Sequence, residues 1–372
     1  MITNRRHFLS GAAALSGLSL LPGAHAQAER FSAMALQMRC DAVNQDRSRR
    51  DARARMMASI GRMRAQIATS KAFLRTFNGT ELKLVVVPEY FMTGFPLGES
   101  RAEWRDKAAI DVDGAEYEAM AAIAQSQNLY LCVNAYETDT NFPELYFQAN
   151  VIFAPNGDQI LRYRRMISLY TPSPFDVWDQ YLDIYGYDAV FPVVRTEVGV
   201  LATIASEEIL YPEIARMHVM KGAEVFLHPT SEVGSTELTP KHISKRARAV
   251  ENMAYVISAN SAEIVGTPIP AASTDAMSQI VDWNGRVLAE AQSGESLNAN
   301  AVLDLEGLRG ARARTGMTNL LSRQPWAAYA PAYQTAQGAE PNALAEGAID
   351  DRAAALARQR QVIERLQALG GN

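Results

Sequence analysis

The sequence predicts an α/β fold built on a mixed sheet, and three observations carry that prediction. Short, nearly charge-free apolar runs of strand length recur from Phe31 onward. Between them lie segments whose apolar residues fall at three-four spacing, the period of a helix. Two Asn-Gly pairs, Asn156-Gly157 and Asn284-Gly285, each join two apolar runs as tight hairpins, so antiparallel pairs interrupt the parallel pattern that strand-helix alternation implies.

Phe31 to Cys40, FSAMALQMRC, reads as the first strand, and Asp46 to Phe77, rich in Arg, Ala and Met, as a long helix. Leu82 to Val87 is a second strand, and its end carries Pro88-Glu89-Tyr90, a carboxylate placed where α/β sheets put their chemistry. Phe91 to Arg101 is a loop punctuated by Gly and Pro, Ala115 to Gln127 a helix, and Leu129 to Ala135 a strand. Gln148 to Ala154 and Gln159 to Arg165 pair across the first Asn-Gly turn. Tyr170 to Tyr187 is aromatic, Pro-bearing and aperiodic, which predicts a long ordered loop of the kind that lines sites. Then come strand Gly199 to Ala205, helix Pro212 to Lys221, strand Glu224 to His228, helix Lys241 to Asn252 and strand Tyr255 to Ala259. Strands Ser278 to Asp282 and Val287 to Ala291 close the series around the second turn.

The chain has 372 residues, 48% hydrophobic and 21% charged, enough for one large soluble α/β domain or two small ones with an ample core. No composition break divides residues 31–333. The tail, 334–372, differs: Thr335 to Ala348 bears Gly, Ala and Pro, and Ile349 to Leu369 carries a narrow helical stripe of Ile349, Leu356, Val362, Ile363, Leu366 and Leu369. Such a stripe predicts a helix docked on the body or on a neighbouring subunit.

The first 26 residues stand apart. Arg5-Arg6 precedes an apolar stretch, Leu9 to Leu21, followed by Pro22 and the small-x-small site Ala24-His25-Ala26. That order resembles a bacterial twin-arginine export signal, which implies a folded, periplasmic mature protein with no stable membrane insertion. Cleavage after Ala26 removes Arg5 and Arg6 and no acidic residue, taking the net charge from −5 to −7. Nothing in that balance favours nucleic acid or an anionic membrane surface.

Cys40 and Cys132, the two cysteines, allow one disulfide, which an oxidising compartment permits; both lie in apolar strand-like runs and read as inert packing residues. The five histidines, His7, His25, His218, His228 and His242, show no metal-ligand spacing, and no Gly-rich phosphate loop is present, so neither metal nor cofactor is expected.

The stretch Val198 to Glu213, VGVLATIASEEILYPE, organises the chain. Its apolar strand breaks at Ser206, Glu207 and Glu208, and Pro212 suits the first turn of a helix. Ser206 at such an elbow reads in two ways. It is a favoured N-cap, and it is also a projected nucleophile backed by the unpaired N–H groups of a helix start.

Four stretches in order, VVVPEYFMTGF, DQILRYRRMISL, VGVLATIASEEILYPEIARMHVMKGAEVFLHPTS and KRARAVENMAYVISAN, resemble the glutamate, lysine, nucleophile and post-nucleophile blocks of the nitrilase superfamily of carbon-nitrogen hydrolases. SQIVDWNGRVLAEA is similar to that family's closing hairpin, and the likeness spans nearly all of residues 31–333. It implies a single-domain αββα sandwich that forms homodimers or higher homo-oligomers, and hydrolysis of a small amide, nitrile or carbamoyl compound by a Glu, a Lys and a Cys.

Only the Glu is retained, as Glu89. Tyr163-Arg164-Arg165 puts Arg165 where the family has Lys, and counting six residues back from Pro212 puts Ser206 where it has Cys. A forward count from Gly199 reaches Thr203 instead, inside the expected strand. A serine hydroxyl is a far weaker acid than a thiol of pKa about 8.5 and needs its proton removed during attack. Glu89 is the expected base, and Arg165, which cannot pass a proton, is the expected clamp for an oxyanion or a carboxylate. An alternative keeps the fold and drops turnover, leaving a periplasmic binding or scaffold protein.

Further candidates are Tyr90, Trp178 and Tyr211 as pocket walls and Glu207 or Glu208 as a second carboxylate, although helix-start acids need no function. Asp176 resembles the acidic position that amidase-type members carry after the Lys motif. His228 is a second possible base for Ser206.

Overall fold

The computed structural model describes residues 30–345, except 236, 275 and 337, together with residues 352–369. The export-signal segment and Ile349 lie outside the described residues.

In chain order the strands are β1 (Phe31–Ala35), β2 (Cys40–Asp41), β3 (Glu81–Val86), β4 (Tyr130–Thr138), β5 (Tyr146–Phe153), β6 (Gln159–Arg164) and β7 (Val194–Thr196). After them come β8 (Gly199–Thr203), β9 (Val225–Pro229), β10 (Tyr255–Ala259), β11 (Ile264–Val265), β12 (Gln279–Val281), β13 (Val287–Glu290) and β14 (Asn300–Leu303). The helices are α1 (Arg49–Asn78), α2 (Arg101–Ala108), α3 (Ala115–Gln127), α4 (Trp178–Tyr185), α5 (Pro212–Met220), α6 (Pro240–Asn252), α7 (Leu305–Ala313), α8 (Trp326–Thr335) and α9 (Arg352–Leu369).

Two six-stranded sheets form, ordered β14-β1-β3-β4-β5-β6 and β13-β12-β10-β9-β8-β7. Each is mixed, with parallel β1-β3-β4 and β8-β9-β10 cores and antiparallel flanks. Period-two alternation explains the layering. Phe31, Ala33 and Ala35 of β1 and Tyr130 and Cys132 of β4 face the second sheet, where they share a core with Leu201, Val225 and Ile257. Met34 of β1 and Leu131 and Val133 of β4 face the other way, onto Met56, Ile60, Met63 and Ile67 of α1. Strands covered on both faces must be apolar on both, which is why these runs read as unbroken. Ile214, Ala215 and Val219 of α5 and Ala249 of α6 pack on the second sheet, completing an αββα sandwich.

Helix α1 is cut where its chemistry says. Ser48 Oγ accepts from the Asp51 N–H at 3.1 Å, and Gly79 at φ 65° turns the chain out of the last turn. Its buried stripe, Ala52, Met56, Ser59, Ile60, Met63, Ile67, Ser70 and Leu74, keeps helical spacing.

Two readings need correction. The run from Phe31 to Cys40 is two strands, not one. The side chain of Gln37 donates to the backbone oxygens of Gln292 and Gly294 and accepts from Ser278 N at 2.9 Å, which draws the chain aside before β2 pairs with β11. Residues 170–187 are not an irregular loop, because α4 occupies Trp178–Tyr185 and packs Tyr181 against Phe142 and Phe147. Eight residues with a Pro before them and Gly186 as cap are too few to show a period. Cys40 and Cys132 are free and buried in different core clusters, as their reading as inert packing residues expects.

The tail folds back on this segment. Asn342 N and Leu344 N donate to Phe175 O and Asp176 O at 2.9 and 2.8 Å, Leu344 is buried, and the Arg352 guanidinium lies 4.4 Å from the Tyr170 ring centre.

Candidate active site

The ends of β3, β6, β8 and β9 supply the site. Past β3 the chain reaches Glu89, fully buried, and ties back to the second sheet by Glu89 N donating to Thr230 O at 3.2 Å. Glu89 Oε1 accepts from Gln148 Nε2 at 2.8 Å and from Arg165 Nη1 at 3.4 Å, and Oε2 accepts from Ser231 N at 3.1 Å.

Arg165 follows β6, registered by its N–H on Gln148 O at 2.9 Å. Its guanidinium is spread over four acceptors: Glu89, Gln148 Oε1 at 2.7 Å, Ile167 O at 2.7 Å and Glu207 Oε1. Burial works against its charge, but Glu89 and Glu207 outweigh it and hold its pKa above the ordinary arginine value.

Ser206 opens a one-turn 3-10 segment, Ser206–Leu210, directly after β8. It is only 4% exposed and sits at φ 51°, in the left-handed region that costs a non-glycine residue on the order of 1 kcal/mol or more. Tyr90 at the opposite strand end also adopts positive φ, 64°. The elbow expected from the sequence is therefore present with one change. Helix α5 begins six residues later at Pro212, so the turn behind Ser206 is the short 3-10 segment and not the N-terminus of α5. Thr203 is inside β8, fully buried, with its hydroxyl unpaired.

The Ser206 hydroxyl bonds to Lys241 Nζ at 3.3 Å, and no hydrogen bond joins it to Glu89 among the described residues. Lys241 Nζ also donates to Thr230 Oγ1 at 3.3 Å and Ser231 O at 3.1 Å. A closed ring results: Ser206, Lys241, Ser231, Glu89, Arg165 and Glu207, the last adjacent to Ser206 in the chain.

The other candidates divide. Glu207 belongs to the ring through its pair with Arg165. Glu208 is buried and structural: its carboxylate accepts from Tyr163 Oη at 2.8 Å, Ala205 N at 3.1 Å, Met166 N at 2.7 Å and Ile167 N at 3.0 Å, binding the turn after Arg165 to the elbow. Burial pushes its pKa up to about 7 against the Arg165 charge and these donors.

His228 does not reach the Ser206 hydroxyl. Its Nε2 donates to Ser206 O at 2.8 Å and its Nδ1 meets Ser258 Oγ at 2.9 Å, so it fixes the elbow's backbone. Burial, with Lys245 nearby, keeps this imidazole neutral, far below the usual histidine pKa.

Tyr90 is at the site, where burial and the Glu89 charge raise its hydroxyl pKa, and its ring packs on Phe95 and Tyr136. Tyr211, 41% exposed, follows the 3-10 segment with Glu207 and Arg165 in electrostatic reach. Asp176 and Trp178 make other contacts. Asp176 accepts from Ser173 N and Oγ, both at 2.8 Å, and the Trp178 ring packs on Phe175.

Sequence reasoning missed Lys241 and Gln148. Pro240 after Thr239 announces a helix start, and Thr239 Oγ1 does accept from His242 N at 3.3 Å. No local signal says that this first turn lies over Ser206. Among the described residues no group of three or more His, Cys, Asp or Glu side chains is placed to hold a metal ion.

Residues 55–313 match the family model described as carbon-nitrogen hydrolase. A formamidase of Helicobacter acinonychis is 26% identical over 52% of this chain and 55% of its own length. Nitrilase 2 of Arabidopsis thaliana is 31% identical over 48% of this chain and 52% of its own. The chain thus spans about half the length of these curated relatives. Among solved structures, Saccharomyces cerevisiae Nit3, a member of branch 10 of the nitrilase superfamily, superposes with a TM-score of 0.59 at 20% identity, covering 80% of this chain and 97% of that one.

Proposed function

Since the chain belongs to the carbon-nitrogen hydrolase family, we propose that it hydrolyses a non-peptide amide of small size through Ser206, standing where that family's cysteine stands. The observation that carries this reading is the ring itself. The one hydroxyl at the β8 elbow is linked through Lys241 and Ser231 to Glu89, and Glu89 through Arg165 to Glu207. A ring of two carboxylates, a guanidinium and an amine, with Glu89 and Arg165 buried and Glu207 and Lys241 half-buried, is costly to fold and is the setting in which charge developing on a substrate is met without reorganisation.

Ser206 attacks the carbonyl, the amine departs, and water clears the acyl-serine. Arg165, with its nitrogens already committed, stabilises by charge and holds Glu89 in place. Tyr90 and Tyr211 flank the approach. The two relatives are named for amide and nitrile chemistry, so both bond types belong in the test.

One observation favours a second reading, a binding protein without turnover: Glu207 already occupies Arg165, the group expected to receive an anionic atom. A panel of small amides and nitriles on the mature protein separates the two. Turnover that Ser206→Ala removes supports the hydrolase. No turnover, with melting temperature raised by a panel compound, supports the binding protein. We further propose export to the periplasm by the twin-arginine route and assembly as a homodimer, which fractionation of cells carrying Arg5→Lys/Arg6→Lys and sedimentation of the mature protein test.

A further inference from the structure

We propose that Lys241 is the catalytic partner of Ser206, its Nζ taking the hydroxyl proton during attack and returning it to the departing amine. The inference rests on the reading of Ser206 as nucleophile.

The geometry points to Lys241 by exhausting the neighbours. Glu89 has both oxygens engaged by Gln148, Arg165 and Ser231. His228 has both nitrogens engaged, one of them on Ser206's own carbonyl. Arg165 has no lone pair to offer. Lys241 alone among these places a nitrogen on Ser206 Oγ.

Its three contacts also suit an amine. A primary amine has two N–H donors and one lone pair. Nζ donates to Thr230 Oγ1, Ser231 O and Ser206 Oγ; in its deprotonated form it keeps the first two as acceptors and turns its lone pair to the Ser206 hydroxyl. All three partners are neutral oxygens, and no carboxylate lies within ion-pair distance of Nζ among the described residues. The charged and titratable groups around it are His242 and Lys245 on α6, His228 on β9, and Glu89 beyond Ser231. Separations of 3.3 Å are those of a resting site that tightens when substrate binds.

The step balances. Ser206 Oγ bonds to the carbonyl carbon, the C=O π pair moves to oxygen, and the hydroxyl proton passes to the neutral Nζ. On collapse the C–N bond breaks and that proton goes to the leaving nitrogen. Water then attacks the ester, giving a proton to Nζ that returns to Ser206 Oγ as the acid leaves.

A fluorophosphonate tests this without knowledge of the substrate, since its labelling of Ser206, read by intact mass and peptide mapping, needs the same proton transfer. The wild-type labelling rate is expected to fall as pH is lowered, and Lys241→Met to lose about 100-fold or more together with that pH dependence. Lys241→Arg keeps N–H donors at this place but accepts no proton, and it is expected to lose as much. Lys241→Cys, slow as made, is expected to recover after 2-bromoethylamine converts it to the thia-analogue of lysine. Because this recovery is a gain of function, it stands even where a substitution weakens the fold. Labelling of Lys241→Met or Lys241→Arg at the wild-type rate overturns the inference while leaving Ser206 as nucleophile. Absence of Ser206 labelling in the wild type overturns both.

Discussion

Gln148 Nε2 donates to Glu89 Oε1 at 2.8 Å from the middle of a fully covered strand. The same amide accepts from Arg165 Nη1 at 2.7 Å through its oxygen, so one neutral side chain serves both members of a buried ion pair. Nitrogen toward carboxylate and oxygen toward guanidinium is the only orientation these charges allow. Gln148→Leu keeps the bulk and removes both of these bonds, together with the weaker one that Nε2 donates to Asn134 Oδ1 at 3.2 Å. The expected cost is about 3 kcal/mol, from two charge-assisted bonds lost beside charges left behind. Urea unfolding measures it, and a cost below about 1 kcal/mol would mean that solvent reaches Glu89 or Arg165 and replaces Gln148.

His218 sets an acid limit on stability. It is fully buried among Tyr163, Phe191 and Phe226, with Nδ1 on Ile214 O at 2.8 Å and Nε2 unpaired, and burial lowers its pKa to about 4 from 6.5. A lowered folded-state pKa means that the unfolded chain binds more protons between these values, so stability falls as pH drops from 6.5 toward 4. Two and a half pH units correspond to about 3 kcal/mol. His218→Phe is expected to gain that much relative to wild type between pH 6.5 and 4 in calorimetric or denaturant titrations, after its own fixed cost at neutral pH.

Glu208 acts with the opposite sign. Its pKa is raised to about 7 from 4.5, so the folded state holds a proton that the unfolded chain has lost, and stability declines as pH climbs through that window. Glu208→Gln cannot titrate. The difference between it and wild type is expected to shift toward the variant by about 3 kcal/mol from pH 4.5 to 7. Because the windows of His218 and Glu208 overlap, the wild type conceals both slopes and the two variants uncover them. A difference independent of pH for either variant would show that the group it removes does not titrate in that window.

The parts of this site that could be read in advance are those written into local pattern. Glu89 closes an apolar strand run and Ser206 breaks one, so strand ends alone place both. The two Asn-Gly hairpins fix the flanks of both sheets. Gln37 could not be read as the residue that ends β1, because its partners Ser278, Gln292 and Gly294 lie far along the chain. Helix α4 is too short to impose a period, and its identity comes from packing Tyr181 on Phe142. Lys241 was hidden for the same reason as Gln37. It lies on the first turn of α6, and only the packing of that helix on the Ser206–Leu210 turn, anchored by Arg248 on Ile209 O and Leu210 O at 2.9 and 3.1 Å, brings it to the hydroxyl.

The backbone of Ser206 separates chemistry from folding. At φ 51° a side chain is strained, and glycine is not. Ser206→Ala and Ser206→Gly both delete the hydroxyl and its bond to Lys241, and both are expected to abolish labelling and turnover. They differ only in Cβ. At an ordinary position Gly is less stable than Ala by about 0.5–1 kcal/mol because its unfolded chain is freer. At Ser206 the order is expected to invert, Gly exceeding Ala by about 1 kcal/mol as the left-handed strain is relieved. Equilibrium unfolding of the pair decides it. If Ala is the more stable, the elbow does not hold residue 206 in the left-handed region, and the direction in which it projects a nucleophile must be drawn again.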